Sequence, residues 1–120
     1  MYEIDTFMGH PIHEIVELVK SQDKWQNNKP ILNRAIETYG ADHQLTVAVE
    51  ELAELIKEIC KHKRYGDNTK AIIEEMADCY IMLEQMKMIF WLDNADISNA
   101  MDRKIRRLEC RLAEKGGAEK

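Results

Sequence analysis

Apolar residues recur along the chain at intervals of three and four, and no segment alternates with the period of two that a strand requires. In "HPIHEIVELVKSQ" the positions Ile12, Ile15, Val16 and Val19 share a face, which predicts a short first helix with Pro11 near its first turn. A polar stretch over residues 21–29 reads as a loop. "PILNRAIETYG" predicts a second short helix stopped at Gly40. Asp42 is placed to cap a long helix ending near Gly66, and Asp67, Asn68 or Thr69 to cap the next, which runs to about Trp91. "LDNADIS" reads as a break, followed by a last helix over "NAMDRKIRRLECRLAEK" and a frayed tail at 116–120. Short loops between amphipathic helices imply an all-α fold: an antiparallel bundle of four main helices plus the short N-terminal one, in a single domain over residues 1–120.

Two of these helices break the usual rule for where charge belongs. Stepping about 100° per residue from Asp78, Glu75 falls at about +60°. Ile72, Cys79, Met82, Leu83 and Met86 occupy about +40° to +140° of the same wheel. From Glu51, the apolar residues Leu45, Ala48, Val49, Leu52, Leu55, Ile56 and Ile59 fill about +40° to +160°. Glu54 lies at about −60°, Glu58 at about −20° and Gln44 at about +20°. Glu51 and Glu54 therefore edge the greasy stripe of one helix, and Glu75 and Asp78 lie among the greasy residues of the next. A turn at Gly66 folds the second helix back on the first, with axes roughly 8–10 Å apart. Four carboxylates then converge.

Composition narrows what such a convergence can be. The chain has 120 residues, 45% hydrophobic and 32% charged, which is enough for one core and too apolar for disorder. Its net charge of −5 argues against general nucleic-acid binding. No apolar run reaches the ~18 residues of a membrane span, and the N-terminus lacks a signal-peptide pattern. Cys60, Cys79 and Cys110 form no CxxC and read as reduced, helix-packed residues of a cytoplasmic protein. The four histidines show no mutual ligand spacing, there is no ExxH pair for a di-iron bundle, and there is no glycine-rich phosphate loop.

Buried ionised carboxylates are strongly unfavourable alone, and several together also repel. Protonation, pairing with Lys or Arg, or a hard divalent cation each resolves the conflict. Oxygen-only ligands suit Mg²⁺, with Mn²⁺ as a substitute, and magnesium commonly joins carboxylates to substrate phosphates.

"EELAE", Glu50 to Glu54, followed by "EMAD", Glu75 to Asp78, resembles the EExxE…ExxD signature of the all-α nucleoside triphosphate pyrophosphohydrolases, the MazG-like group. The resemblance covers about residues 31–111, leaving 1–29 as an N-terminal extension. It implies an enzyme that hydrolyses a ribo- or deoxyribonucleoside triphosphate to the monophosphate and pyrophosphate, a nucleotide-pool housecleaning activity. It also implies Mg²⁺ held by Glu51, Glu54, Glu75 and Asp78, with Glu54 or Glu51 acting on the attacking water, and assembly as a homodimer or homotetramer.

Phosphate oxygens turned away from a metal need cations. In "DRKIRRLECR" the side chains of Lys104, Arg107 and Arg111 share one face, and similar basic stretches occur in compact members of the group, so Lys104 and Arg107 are candidates. Lys61 continues the Glu51–Glu54–Glu58 face as another candidate, or serves as a favourable charge at a helix C-terminus. Gln44 lies on the Glu51 face and could hydrogen-bond a base edge, or face solvent. Met82 stands where some relatives place an aromatic stacker. Trp25 and Trp91 could stack a base, with Trp91 the more natural packing anchor. The competing interpretation is a non-catalytic oligomerisation or adaptor domain whose acids form salt bridges between subunits. That domain would ignore Mg²⁺ and dissociate in salt.

Overall fold

The computed structural model describes residues 6–7, 10–11 and 27–118, which divide into two units, Met1–Gln85 and Met86–Lys120. In the first unit β1 (Thr6–Phe7) pairs antiparallel with β2 (His10–Pro11), Thr6 opposite Pro11 and Phe7 opposite His10. Pro11 is thus in an extended pair and not in the first turn of a helix. The rest of the expected N-terminal helix, His13, Trp25 and most of the loop before residue 29 lie outside the described residues. Beyond that pair, the described chain is helical: α1 (Lys29–Tyr39), α2 (Ala41–Tyr65), α3 (Thr69–Ile89) and α4 (Asn94–Ala118).

Pro30 sits in the first turn of α1, where its missing N–H is no loss. Gly40 then performs two tasks. At φ 91° its N–H donates to the Ile36 carbonyl at 2.8 Å, closing α1. Its own carbonyl accepts from the Gln44 N–H at 3.0 Å, opening α2. A residue with a Cβ adopts this backbone only under strain. Because glycine makes the joint alone, Asp42 is not the cap; it lies in the first turn, where a carboxylate favours the helix dipole. Gly66, at φ 100°, ends α2 in the same way. Asp67 then accepts the Thr69 N–H at 2.9 Å and starts α3.

Helices α2 and α3 touch along a seam whose partners run in opposite numerical order. Gln44 meets Gln85, the Glu51 carbonyl meets Cys79, and Glu58 meets Asn68. The α2 side of the seam is Gln44, Ala48, Glu51, Leu55 and Glu58, all buried or half-buried, at the four-three spacing of packed helices. On α3, Cys79, Met82 and Gln85 are buried, with Ile72 and Glu75 half-buried. Glu51, Glu58 and Glu75 are therefore inside the seam, while Glu54 and Asp78 are exposed. On α2 the other half of the expected apolar stripe is open, at Val49, Leu52, Ile56 and Ile59; on α3 Leu83 of the expected stripe is open, beside the exposed Ile73, Met76 and Tyr80.

In the second unit α3 ends in a Schellman arrangement. The Leu92 N–H donates to the Lys87 carbonyl at 2.8 Å and the Trp91 N–H to Met88 at 3.3 Å. Trp91 takes the left-handed position at φ 54°, which costs a non-glycine residue about 1–2 kcal/mol. It is 93% exposed, so it is no packing anchor in this chain. Next, Asp93 accepts the Ala95 N–H while Asp96 accepts the Asp93 N–H at 2.9 Å. This reciprocal capping box starts α4 at Asn94, inside the expected break, and the helix continues through Gly116 to Ala118, inside the expected frayed tail. Among the described residues no helix is long and apolar enough to cross a membrane.

Candidate metal centre

The acidic centre follows from helical spacing on two elements. Glu75 and Asp78 are three residues apart on α3 and project the same way, toward the level of Glu51 on α2. One carboxylate oxygen from each of Glu51, Glu75 and Asp78 lies within 4.8 Å of the other two. Glu51 and Glu75 are half-buried and Asp78 is exposed, so the trio opens to solvent on one side. Among the described residues no lysine or arginine forms an ion pair with any of the three. Glu75 Oε2 is buried and accepts no hydrogen bond.

The electrostatics record the crowding. Burial pushes the Glu51 carboxyl above its ordinary range, and the charges of Asp78 and Glu75 add to the shift. Burial raises Glu75 as well, followed by the charges of Asp78, Glu54 and Glu58. The Cys79 thiol, packed behind the trio with its Sγ–H directed to the Glu51 carbonyl at 3.4 Å, is raised by burial and then by Glu51, Asp78 and Glu75. Two turns from Glu51 the sign reverses. The Asn68 amide donates to Glu58 Oε2 at 2.9 Å and, with Lys61 at 3.3 Å, holds the Glu58 carboxyl below its usual range.

Not every candidate joins the trio. Glu54 is exposed and reaches Lys57 at 3.9 Å, one turn from Glu51 and close enough to Glu75 to raise it. Lys61 is engaged by Glu58. Gln44 neither faces solvent nor offers a free amide. It is 6% exposed, and its Nε2 donates to Gln85 Oε1 at 2.8 Å. Met82 is buried, and its sulfur receives the Gln85 amide at 3.7 Å. Lys104 and Arg107 are exposed on α4, in the other unit. Of the three cysteines only Cys79 is packed; Cys60 and Cys110 are exposed.

The sequence reading did not single out Gln85 and offered Asn68 only as a helix cap, yet both tie α2 to the chain that follows it. The signal was available for Gln85, which lies seven residues after Asp78 as Gln44 lies seven before Glu51. Two buried amides at mirrored offsets on facing helices are placed to meet. No family model, curated protein or solved structure matches the chain.

Proposed function

We propose that this chain is a Mg²⁺-dependent nucleoside triphosphate pyrophosphohydrolase, cleaving the α–β anhydride of a ribo- or deoxyribonucleotide to give the monophosphate and pyrophosphate. The observation that carries this reading is the trio of carboxylates within 4.8 Å. It has no cationic partner among the described residues and includes a buried oxygen that accepts nothing. Pairing with lysine or arginine would leave a different site. A set of hard oxygen donors with a missing positive charge fits Mg²⁺ or Mn²⁺.

Glu51, Glu75 and Asp78 would hold the cation. When bound, it would neutralise phosphate charge and lower the pKa of a water so that the water can attack. Glu54, one turn from Glu51 and held only by an exposed lysine, is free to turn inward and take the proton of that water at a carboxylate oxygen. Lys104 and Arg107 would balance phosphate charge not met by the metal. A base-side contact from Gln44 would require the Gln44–Gln85 bond to open, and one from the Met82 sulfur the Gln85–Met82 contact. The reduced cysteines accord with a cytoplasmic setting.

Incubation with a panel of ribo-, deoxy- and modified triphosphates and Mg²⁺ should yield monophosphate and pyrophosphate from at least one. Diphosphate with orthophosphate, or no turnover on any, would overturn the assignment. The adaptor interpretation predicts no turnover, no thermal response to Mg²⁺, and dissociation in salt.

The second part of the proposal is assembly as a homodimer or homotetramer of antiparallel helical bundles. Support comes from the two open stripes, both at three-four-three spacing: Val49, Leu52, Ile56, Ile59 and Ile73, Met76, Tyr80, Leu83. They border a groove of about 220 Å³ lined by Leu55 and Cys79 as well as Leu52, Met76, Tyr80 and Leu83. Exposed contiguous stripes of this kind mark interaction surfaces. Sedimentation at micromolar concentration should give a dimer or tetramer, and Ile56→Glu should reduce it to the monomer. A wild-type monomer in that experiment ends the oligomer proposal.

A further inference from the structure

Three polar contacts leave α2 at seven-residue intervals, from Gln44 and Glu51 to α3 and from Glu58 to Asn68 in the turn just before it. Seven residues are two turns, about 10 Å of helix, so the contacts lie one behind another along the seam. The middle level carries the carboxylates of Glu51, Glu75 and Asp78, which repel one another and raise the charge cost of closing the seam there. The levels on either side carry neutral amides whose hydrogen bonds close it. The unfavourable level is held between two favourable ones.

The amide at each end is specific about its partner. Gln44 is 6% exposed and Gln85 is 4% exposed, so neither can turn to water without opening the seam. Their bonds form a directional series. His43 Nδ1 lies 3.0 Å from Gln44 Oε1, which can only accept, so this ring nitrogen carries the proton. Gln44 Nε2 donates to Gln85 Oε1 at 2.8 Å, and Gln85 Nε2 donates to Met82 Sδ at 3.7 Å. At the other end Asn68 Nδ2 donates at 2.9 Å both to the Glu58 carbonyl and to Glu58 Oε2, tying the turn to the last part of α2. An apolar pair tolerates sliding. A buried amide pair is satisfied in one register alone, and a displaced one leaves unpaired polar atoms.

We propose that Gln44, Gln85 and Asn68 are positioning residues that fix the register of α2 against α3, and thereby hold Glu51, Glu75 and Asp78 at one level. The cation affinity expected of that level rests on the metal-centre reading given above; the register role itself does not. These three residues are set off from the carboxylates by about two turns and would not touch the ion. Their effect on metal binding is transmitted through the helices.

The test replaces Gln44→Leu and Gln85→Leu together, which keeps an apolar pair of similar size, and separately Asn68→Ala, in case the first protein fails to fold. Spin labels at Ala53→Cys and Ala77→Cys, with Cys60→Ser and Cys110→Ser to remove the exposed thiols, report the α2–α3 spacing without any metal. Calorimetry on the label-free proteins reports Mg²⁺ affinity, and melting reports the folded fraction. The unaltered seam should give one narrow distance, and each variant a broader or shifted distribution while still folded. Mg²⁺ affinity should fall by about 10-fold or more, the scale on which supporting residues act on metal sites. Folded variants with unchanged distances overturn the proposal, as does unchanged affinity where the wild type binds Mg²⁺. If the wild type binds no Mg²⁺, the metal reading falls, and the distance measurement still decides the register role.

Discussion

Replacing Glu75 by Gln should make the metal-free protein at least as stable as the wild type while abolishing its response to magnesium. Glu75 is the carboxylate with a buried, unpartnered oxygen, and Asp78, Glu54 and Glu58 all act to raise it. Removing its charge relieves repulsion and keeps the shape, so the folded state loses nothing it depends on. The wild type should gain stability from the cation by mass action, about 2.7 kcal/mol at a hundredfold excess over Kd. For a domain of this size that is a melting shift of roughly 10 °C. Glu75→Gln and Glu51→Gln should flatten the shift and reduce turnover by about 100-fold or more, since even residues that only support metal ligands are worth 10–100-fold. Glu54→Gln is expected to behave differently, retaining most of the thermal response and losing turnover, because the Glu54 carboxylate stands outside the trio beside Lys57. Thermal melts with and without millimolar Mg²⁺, paired with product assays, separate these cases. A wild-type melting curve that does not move with the cation would remove the basis for the centre.

The pairing of stability gained with function lost follows from where the acids lie, and that placement was only half legible in the sequence. The wheel at Glu51 placed it on the border of the apolar arc, because Val49, Leu52, Ile56 and Ile59 pulled the centre of that arc away from the seam. Those four residues are open in the chain, and the residues that pack are Gln44, Ala48, Glu51, Leu55 and Glu58. Periodicity sums every face that will be covered, whether by the same chain or by another. It does not separate Leu52, which is open in this chain, from Leu55, which is half-buried.

Helix identity was legible because α2 and α3 are long and uninterrupted by proline or glycine, whereas their ends depend on single residues with competing options. Asp42 looked like a cap since aspartate is a good one, yet Gly40 turns the chain with its backbone alone. "LDNADIS" looked like a break because four polar residues interrupt the apolar pattern. Two of them, Asp93 and Asp96, are the capping box that starts α4. The same residue types that end a helix also begin one, and only their reciprocal spacing tells the two apart. The choice between a metal and a salt bridge for the acids was likewise open from spacing. Among the described residues no ion pair reaches Glu51, Glu75 or Asp78, so these acids are not neutralised by salt bridges there.

Stability against pH should carry the same signature with its sign inverted from ordinary acid denaturation. Glu51 and Glu75 have folded-state pKa values above their unfolded ones. Each therefore contributes stability that is fully present below the unfolded value and is lost as pH rises through the raised one. Glu58 and Asp67 act oppositely. Their lowered values give stability that is present above the ordinary carboxylate range and is lost on acidification below it. In the metal-free protein, the difference in melting temperature between Glu75→Gln and wild type should grow as pH rises from about 4 through the carboxylate range, and level off above it. Saturating Mg²⁺ should reverse that trend. Protons and the cation compete for the same oxygens, so the stabilisation by metal grows over the same interval in which the metal-free wild type weakens. Melting curves collected with chelator and with Mg²⁺ between about pH 4 and pH 8 would show the two wild-type lines diverging. Parallel lines, with a wild-type-to-variant difference that does not change with pH, would mean that Glu51, Glu75 and Asp78 do not share one site.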